Sequence, residues 1–132
     1  MKPCRFFFDA EAAKPSFAAD RVVTLPQGIV SRERLFDVLS DALAFPNYWG
    51  RNWDALNDML TDLSWIEQHR IVLVHEDLPR LGESATAAYI DVLCTAVDDW
   101  ARSGLHELVV FFPKAEQVAI ESLLGAHAED QP

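Results

Sequence analysis

The sequence is poor in basic residues. Its 132 residues include 11 Lys and Arg against 21 Asp and Glu, which gives a formal net charge of −10 at pH 7. Proteins that bind nucleic acid neutralise its phosphates with Lys and Arg, so this balance argues against direct nucleic-acid binding. A cationic protein is the complementary partner, because opposite net charges accelerate the encounter of two proteins.

Cysteines and long apolar runs are also scarce. The two cysteines, Cys4 and Cys94, are too few for a disulfide framework, and we expect reduced thiols, with Cys94 in a core helical stripe. The phenylalanine run at 6–8 is interrupted by Asp9, and it is too short for a signal sequence or a membrane span. The sequence therefore predicts a cytoplasmic protein that does not insert into a membrane.

The signatures of catalytic and metal sites are missing. Five glycines and no glycine-rich loop argue against a phosphate-binding site, and no Ser or Cys lies in a nucleophile elbow. His69, His75, His106 and His127 are scattered and no CxxC or HExxH motif occurs, so we predict neither metal nor cofactor. His75 ends a predicted strand and is interpreted as structural. We predict no catalytic residues and no enzyme.

Strands and helices alternate along the chain. Apolar runs at 22–25, 71–74 and 108–112 predict three buried strands, and residues 5–8 could add a short one before a loop at 10–19. Helices are expected after the N-caps Ser31 and Asn52, and Pro113 can start a final helix. A long helix is expected between Ser84, which can cap it, and Gly104, where it ends. This order predicts one monomeric α/β domain, 1–132, with a small parallel sheet packed with helices. One core is expected to hold six residues: Trp53, Leu56, Leu60, Val72, Val97 and Val110.

The helix behind Asn52 is strongly amphipathic. Pro46 and Gly50 mark a turn before it, and Asn52 is the natural N-cap. One side of its helical wheel is apolar, with Trp53, Ala55, Leu56, Met59, Leu60 and Leu63. The other side is polar, with Asp54, Asn57, Asp58, Thr61 and Asp62.

Three aspartates of the polar side, Asp54, Asp58 and Asp62, stand one helical turn apart and form what we call the acidic ridge. The carboxylate of Asp54 interacts favourably with the helix dipole in the first turn. Asp58 and Asp62 lie beyond that turn, and no Lys or Arg lies three or four residues from either. Each like-charge pair costs a few tenths of a kcal/mol. The ridge is therefore either a solvated face or a surface presented to a cationic partner.

The segment from Phe45 to Leu60 resembles the barstar family, intracellular protein inhibitors of secreted bacterial ribonucleases. The family run is Pro-x-Tyr-aromatic-Gly-x-Asn-x-Asp-Ala-Leu-x-Asp. All its fixed positions are matched here, by Pro46, Tyr48, Trp49, Gly50, Asn52, Asp54, Ala55, Leu56 and Asp58. The resemblance extends over about 22–112. It leaves 1–21 as an N-terminal extension and 113–132 as an additional C-terminal helix and tail, and it implies a three-stranded parallel sheet packed with helices.

The resemblance implies an inhibitor or immunity protein that occludes the cationic active site of a bacterial ribonuclease or ribonuclease toxin with its acidic helix. It places Tyr48, Asn52, Asp54, Asp58 and Thr61 at partner-facing positions. Counted back from Gly104, Asp99 falls at a further acidic contact, and Trp65 matches a family tryptophan with spacing longer by about two residues. Asn57 stands where the best-known members have an aromatic. Asp62, at the end of the ridge, is expected to make a minor contact.

Two other functions fit the same residues. One is an acidic adaptor domain without a ribonuclease partner. The other is an enzyme whose ridge carboxylates hold Mg²⁺ or act as an acid and base pair. We favour the enzyme least, because a ridge on one exposed helix provides no enclosing pocket that would exclude water.

Overall fold

The computed structural model describes residues 6–8 and 20–129, with side chains as far as residue 124. The elements in chain order are β1 (Asp20–Leu25), α1 (Arg32–Ala42), α2 (Trp53–Asp62), β2 (Arg70–His75), α3 (Glu83–Ser103), β3 (Glu107–Phe111), a 3-10 turn (Lys114–Glu116) and α4 (Gln117–Glu129). The strands form one parallel sheet in the order β1-β2-β3. The predicted α/β fold with a three-stranded parallel sheet is confirmed, and α4 is the expected C-terminal helix.

The central strand β2 is buried on both faces of the sheet. Its Cα partners are β1 on one side, where Val22 faces Val72, and β3 on the other, where Val109 faces Val72. Ile71 and Leu73 point to the main core, which explains why the run is continuously apolar.

The prediction that Val72 belongs to the main core is wrong. Val72 is fully buried, but it packs with Val109 and Phe111 in a separate small cluster. Successive side chains of a strand point to opposite faces, so Val72 lies on the other side of the sheet from its two neighbours in sequence.

The main core lies where the helices pack on the sheet. Leu56 and Leu60 of α2 and Val110 of β3 are fully buried there, as predicted. Trp53 and Val97 are half-buried and pack against it. The apolar side of α2 therefore faces inward, and its polar side, with the acidic ridge, faces away from the core.

Caps define most helix ends. Ser31 Oγ accepts a hydrogen bond from the backbone N–H of Arg34 at 3.1 Å, which confirms the predicted start of α1. Gly104 ends α3 with φ 73°, a left-handed conformation that glycine adopts without strain. The predicted Ser84 cap is wrong: α3 begins at Glu83 behind Gly82, and Thr86 Oγ1 instead accepts from the N–H of Leu81 at 2.9 Å.

Two further helix boundaries follow from local backbone geometry. The helix α1 ends at Ala42, before Pro46, because Ala44 takes a positive φ of 54° that a helix cannot continue through. Pro113 precedes the 3-10 turn at Lys114–Glu116, and α4 starts only behind that turn.

The segment at 6–8 lies beside β3. Phe7 donates its N–H to Val110 O at 2.9 Å and accepts from Phe112 N–H at 3.0 Å, so it forms a short parallel bridge, in keeping with the predicted short strand. The predicted loop at 10–19 and the end of the chain after 129 lie outside the described residues. None of the helices within 20–129 combines the length and apolarity that a membrane crossing requires.

Cys94 corrects one expectation from the sequence. Its side chain is half-buried and packs against the main core, as predicted, but it is disulfide-bonded and not a reduced thiol. The low cysteine count excludes a framework of several cross-links, but it does not exclude a single bond. Cys4 lies outside the described residues.

Candidate functional site

The loop at 45–52, which leads into α2, is built on packed aromatic rings. The ring of Trp49 meets those of Phe36 and Phe45 edge to face, with centroids 5.3 and 5.1 Å apart. Tyr48, directly before the buried Trp49, stays 83% exposed. The loop therefore presents one large aromatic side chain to solvent from a rigid base.

Arg51 ties this loop to α1. Its guanidinium donates to Asp37 Oδ1 at 2.7 Å, and its Cζ lies 5.7 Å from the centroid of the Trp49 ring. Arg51 also takes a positive φ of 52°, an uncommon conformation for a residue with a side chain. These contacts direct the one basic side chain of the segment 45–65 toward α1.

Asn52 caps α2 as predicted. Its Oδ1 accepts from the N–H of Ala55 at 2.8 Å, and its Nδ2 donates weakly to Gly50 O at 3.5 Å. The side-chain oxygen is therefore used inside the protein. The exposed amide nitrogen is the part of Asn52 that a partner can reach.

The acidic ridge runs along the exposed side of α2. Asp54, Asp58 and Asp62 are all exposed, and each is separated from the next by about 6 Å along the helix axis. Within the described part of the chain, none of the three forms an ion pair or accepts a hydrogen bond. The ridge thus carries negative charge that no described basic residue neutralises.

Two polar residues border the ridge and are half-buried. Thr61 donates its hydroxyl proton to Asn57 O, 2.7 Å away in the preceding turn of α2. Its hydroxyl oxygen keeps a free acceptor position. The side-chain amide of Asn57 makes no hydrogen bond to any described residue, so both its donors and its acceptor are available.

The C-terminal end of α2 is fixed by ring nitrogens from outside the helix. Trp100 of α3 donates its indole N–H to Leu60 O at 2.7 Å, and His106 places Nε2 at 3.1 Å from Leu63 O. Leu63 itself has φ 46°, the left-handed conformation that ends the helix. The periodicity of the sequence gave no signal for these contacts, since the partners are 40 residues or more apart.

A groove of about 570 Å³ separates the ends of α2 and α3. Thr61 and Asp62 line it from α2, and Asp99 lines it from α3, where its carboxylate also pairs with Arg102. The remaining lining residues are Ser64, Trp100, Ser103, Leu105 and His106. The structure therefore brings Asp99 together with the end of the ridge, while Tyr48 and Asn52 lie at the opposite end of α2.

Trp65 is anchored in the fold. Its indole N–H donates to Leu43 O at 2.8 Å, and its ring lies edge to face with Phe45 at 6.2 Å. The side chain is half-buried against the main core. A partner can therefore reach only part of the ring, and the N–H is already in use.

His75, whose pKa is strongly lowered, lies in the core and away from the acidic ridge. His75 donates from Nδ1 to Phe111 O at 2.9 Å, while the Tyr89 hydroxyl donates to its Nε2 at 2.6 Å. Burial lowers the pKa of His75 to about 4, so the ring is neutral, and burial also raises the pKa of Tyr89. The structural role predicted for His75 is confirmed.

Among the described residues, no three side chains of His, Cys, Asp or Glu stand close enough together to hold a metal ion. The ridge carboxylates follow one another along a helix and do not converge on one point.

Neither a search of curated proteins nor a search of solved structures found a match. The model of one family, described as Barstar (barnase inhibitor), matches residues 21–113, nearly the span expected from the resemblance. Because that match covers more than half of its residues, the chain belongs to the barstar family.

Proposed function

We propose that this chain is an inhibitor that binds a cationic bacterial ribonuclease and covers its active site with α2. The observation that carries the proposal is the acidic ridge: in a member of a family of barnase inhibitors, Asp54, Asp58 and Asp62 are exposed and form no ion pair with any described residue. An immunity role follows, in which the inhibitor protects the cell that produces the ribonuclease.

The proposed mechanism is substrate mimicry. A ribonuclease binds RNA phosphates with Arg, Lys and His, so its active site is positively charged. Carboxylates spaced along a helix can occupy the positions of those phosphates and form charge-assisted, often bidentate, bonds with arginine. Opposite net fields also steer the two proteins together, and the chain contributes a net charge of −10.

The binding face is organised before the partner arrives. Asn52 caps one end of α2, and the ring nitrogens of Trp100 and His106 contact the carbonyls at the other. Arg51 holds the preceding loop against α1, and Tyr48 projects from it. Since little has to be ordered on binding, most of the interaction free energy is available for affinity.

The residues of this face that differ from those of other family members bear on which ribonuclease the chain binds. We propose that Tyr48 is the exposed aromatic anchor and that Asp99, beside Asp62 in the groove, receives a second cationic side chain of the ribonuclease. Asn57 presents an amide where the best-known members of the family have an aromatic. We therefore expect a partner surface that differs from the one that barnase presents.

Affinity capture followed by an RNA-cleavage assay tests the function. The immobilised chain is used to capture proteins from an extract of the bacterium that encodes it, and each captured protein is assayed for ribonuclease activity with and without added chain. We expect a captured ribonuclease that the chain inhibits. Capture of proteins without ribonuclease activity would favour the adaptor function.

A matched pair of variants tests the role of the ridge. One variant replaces Asp54, Asp58 and Asp62 with asparagine, and the control carries Asp41→Asn, Glu83→Gln and Glu121→Gln, which change the net charge equally outside α2. We expect the ridge variant to lose inhibition and the control to keep it. An equal loss of inhibition in both variants would assign the effect to net charge, and undiminished inhibition by the ridge variant would contradict the role of the ridge. Unfolding curves verify that both variants are folded.

A further inference from the structure

The parallel sheet has a second face, on the side away from the main core. Its central residues, Val72, Val109 and Phe111, are at most 5% exposed and form a separate cluster, which we call the second-face cluster. The described residues that pack against it, Phe7 and Val74, are not on a helix. The buried apolar residues of α1, α2 and α3 belong to the main core instead. The described helices therefore do not account for the burial of this face.

Burial on the second face follows a diagonal across the strands. Two opposite corners of the face are buried: Phe111 near the end of β3, and Asp20 at the start of β1, whose side chain is only 4% exposed. The other two corners are exposed, with Thr24 level with Phe111 and Glu107 level with Asp20. The fully buried Val72 lies between the buried corners. A covering segment that crosses the face diagonally explains this pattern.

The chain segment at 9–19 begins and ends at the two buried corners. Phe7 forms its bridge with Phe111 on the outer edge of β3, and Asp20 opens β1 on the opposite edge of the sheet. Three strand spacings across the sheet and four residues along it separate these corners by about 20 Å. The eleven residues between them can span up to about 36 Å. The segment is therefore long enough to cross the face without being fully extended.

The hand of the connection selects the same face. A connection between two parallel strands of one sheet is almost always right-handed. From β1 to β2 and from β2 to β3 the chain moves across the sheet in one direction, and the helices of both connections lie on the main-core face. From residues 6–8 to β1 the chain moves in the opposite direction. A right-handed connection there crosses the opposite face, which carries the second-face cluster.

We propose that residues 9–19 dock across the second face of the sheet and cover the second-face cluster, so that the N-terminal extension is part of the folded domain. The composition of the segment suits this role, because its five alanines and Phe17 are apolar and the alanines allow a close approach to a sheet. The family match begins only at residue 21, so the cover comes from outside the family's span. The proposal concerns the free chain and does not depend on the proposed function.

The cover has a consequence for association between copies. A contiguous apolar face that is open to water is a site at which proteins associate. With residues 9–19 docked on it, the second face of the sheet offers no such site. The polar side of α2, which points away from the main core, is then left as the surface for a partner.

Nuclear Overhauser effects in the full chain test the docking directly. We expect cross-peaks from the methyl groups of Val72 and Val109 to alanine methyls or to the Phe17 ring of the segment at 9–19. A sample that mixes labelled and unlabelled chains separates contacts within one chain from contacts between copies. Contacts of these valines to a second copy, to α4 or to water alone would each overturn the proposal.

A variant with residues 9–19 replaced by glycine and serine, at unchanged length, gives a second test. A soluble gadolinium chelate should enhance the relaxation of the Val72 and Val109 methyls several-fold more in the variant than in the parent. Within the same samples, the exposed Val118 reports full enhancement and the buried Leu56 reports none. Sedimentation shows whether the variant is a monomer, and self-association that the parent lacks would also support the proposal. Val72 methyls that stay as protected as Leu56 in a folded, monomeric variant would overturn it, and the Overhauser contacts of the parent decide the question if the variant does not fold.

Discussion

Replacing Asp58 with alanine removes the middle carboxylate of the acidic ridge and should change folding stability and binding in opposite directions. In the free chain Asp58 is exposed and makes no ion pair with a described residue, so no favourable contact is lost. Its repulsion with Asp54 and with Asp62, one turn away on either side, costs about 0.2–0.5 kcal/mol each. Alanine is also the better helix former, by up to about 0.7 kcal/mol. We therefore expect Asp58→Ala to stabilise the free chain by about 1 kcal/mol.

Binding should weaken by more than that. Asp58 lies mid-ridge, where a partner can surround it most completely, and its removal leaves a cation of the partner buried without its counter-charge. Truncation of one member of such a pair costs about 2–5 kcal/mol, a range to which barnase–barstar complexes themselves contributed. At 1.4 kcal/mol per factor of ten, this corresponds to about 30-fold to several thousand-fold weaker binding, seen mainly in the dissociation rate. Asp54 should come next, and Asp62, near the end of the ridge, should matter least.

The assay pairs urea unfolding of the free chain with dissociation rates from the captured ribonuclease. Asp41→Ala is the control, because Asp41 is an exposed aspartate of α1 that also has an acidic residue, Asp37, one turn before it. The control should gain less stability, because its one acidic neighbour, Asp37, is paired with Arg51, and it should keep its affinity. If Asp58→Ala is folded and binds as tightly as the parent, the binding surface is not on α2.

Three further predictions follow from charge, burial and the family departure. The association rate with the ribonuclease should fall steeply as salt is raised, because the Debye length is already about 8 Å at physiological ionic strength, and a rate that is flat in stopped-flow measurements would contradict steering. The free energy of unfolding should decrease by about 3 kcal/mol as pH falls from 6.5 to about 4. In this range His75 binds a proton in the unfolded chain but stays neutral in the folded chain, where burial lowers its pKa to about 4. A His75→Leu, Tyr89→Phe double variant should lose this part of the pH dependence in urea titrations at several pH values, and an unchanged profile would assign the loss to other groups. Asn57→Trp restores an aromatic at that position and should lower the Kd for barnase, and an equal or higher Kd would show that the family aromatic does not act alone.

Local features of the chain could be predicted from the sequence because the residues that decide them are neighbours. Asn52 caps α2 through an N–H only three residues away, and the inward face of Leu56 and Leu60 follows from helical spacing. The apolar run of β2 likewise predicted a strand that is buried on both faces. These are the features on which the prediction of the ridge depended.

Features that depend on distant contacts could not be predicted in the same way. The apolar run of β2 does not say which face each valine takes, and Val72 proved to lie opposite the main core. Ser84 is of a type that often caps helices, yet α3 starts at Glu83, directly after Gly82. The hydroxyl of Thr86 accepts a hydrogen bond from the N–H of Leu81 and so fixes the preceding loop.

At the site, the same limitation applies to the end of α2. The sequence offered His106 only as one of several scattered histidines, because its hydrogen-bond partners, Leu63 and His69, are 43 and 37 residues away. The shared groove of Asp62 and Asp99 likewise results from the packing of α2 on α3. Family resemblance placed Asp99 near the binding face, and periodicity alone would have left it on the outer face of a long helix.

Competition with RNA tests the central claim, occlusion of the active site by α2, most directly. The captured ribonuclease is assayed with an RNA oligonucleotide over a range of substrate and inhibitor concentrations. If α2 occupies the phosphate-binding site, inhibition is competitive, with an apparent inhibition constant that rises in proportion to RNA concentration above KM. The ridge variant with three asparagines should shift that constant far more than the off-ridge control. Inhibition that is independent of RNA concentration, or equally strong with the ridge variant, would contradict the account.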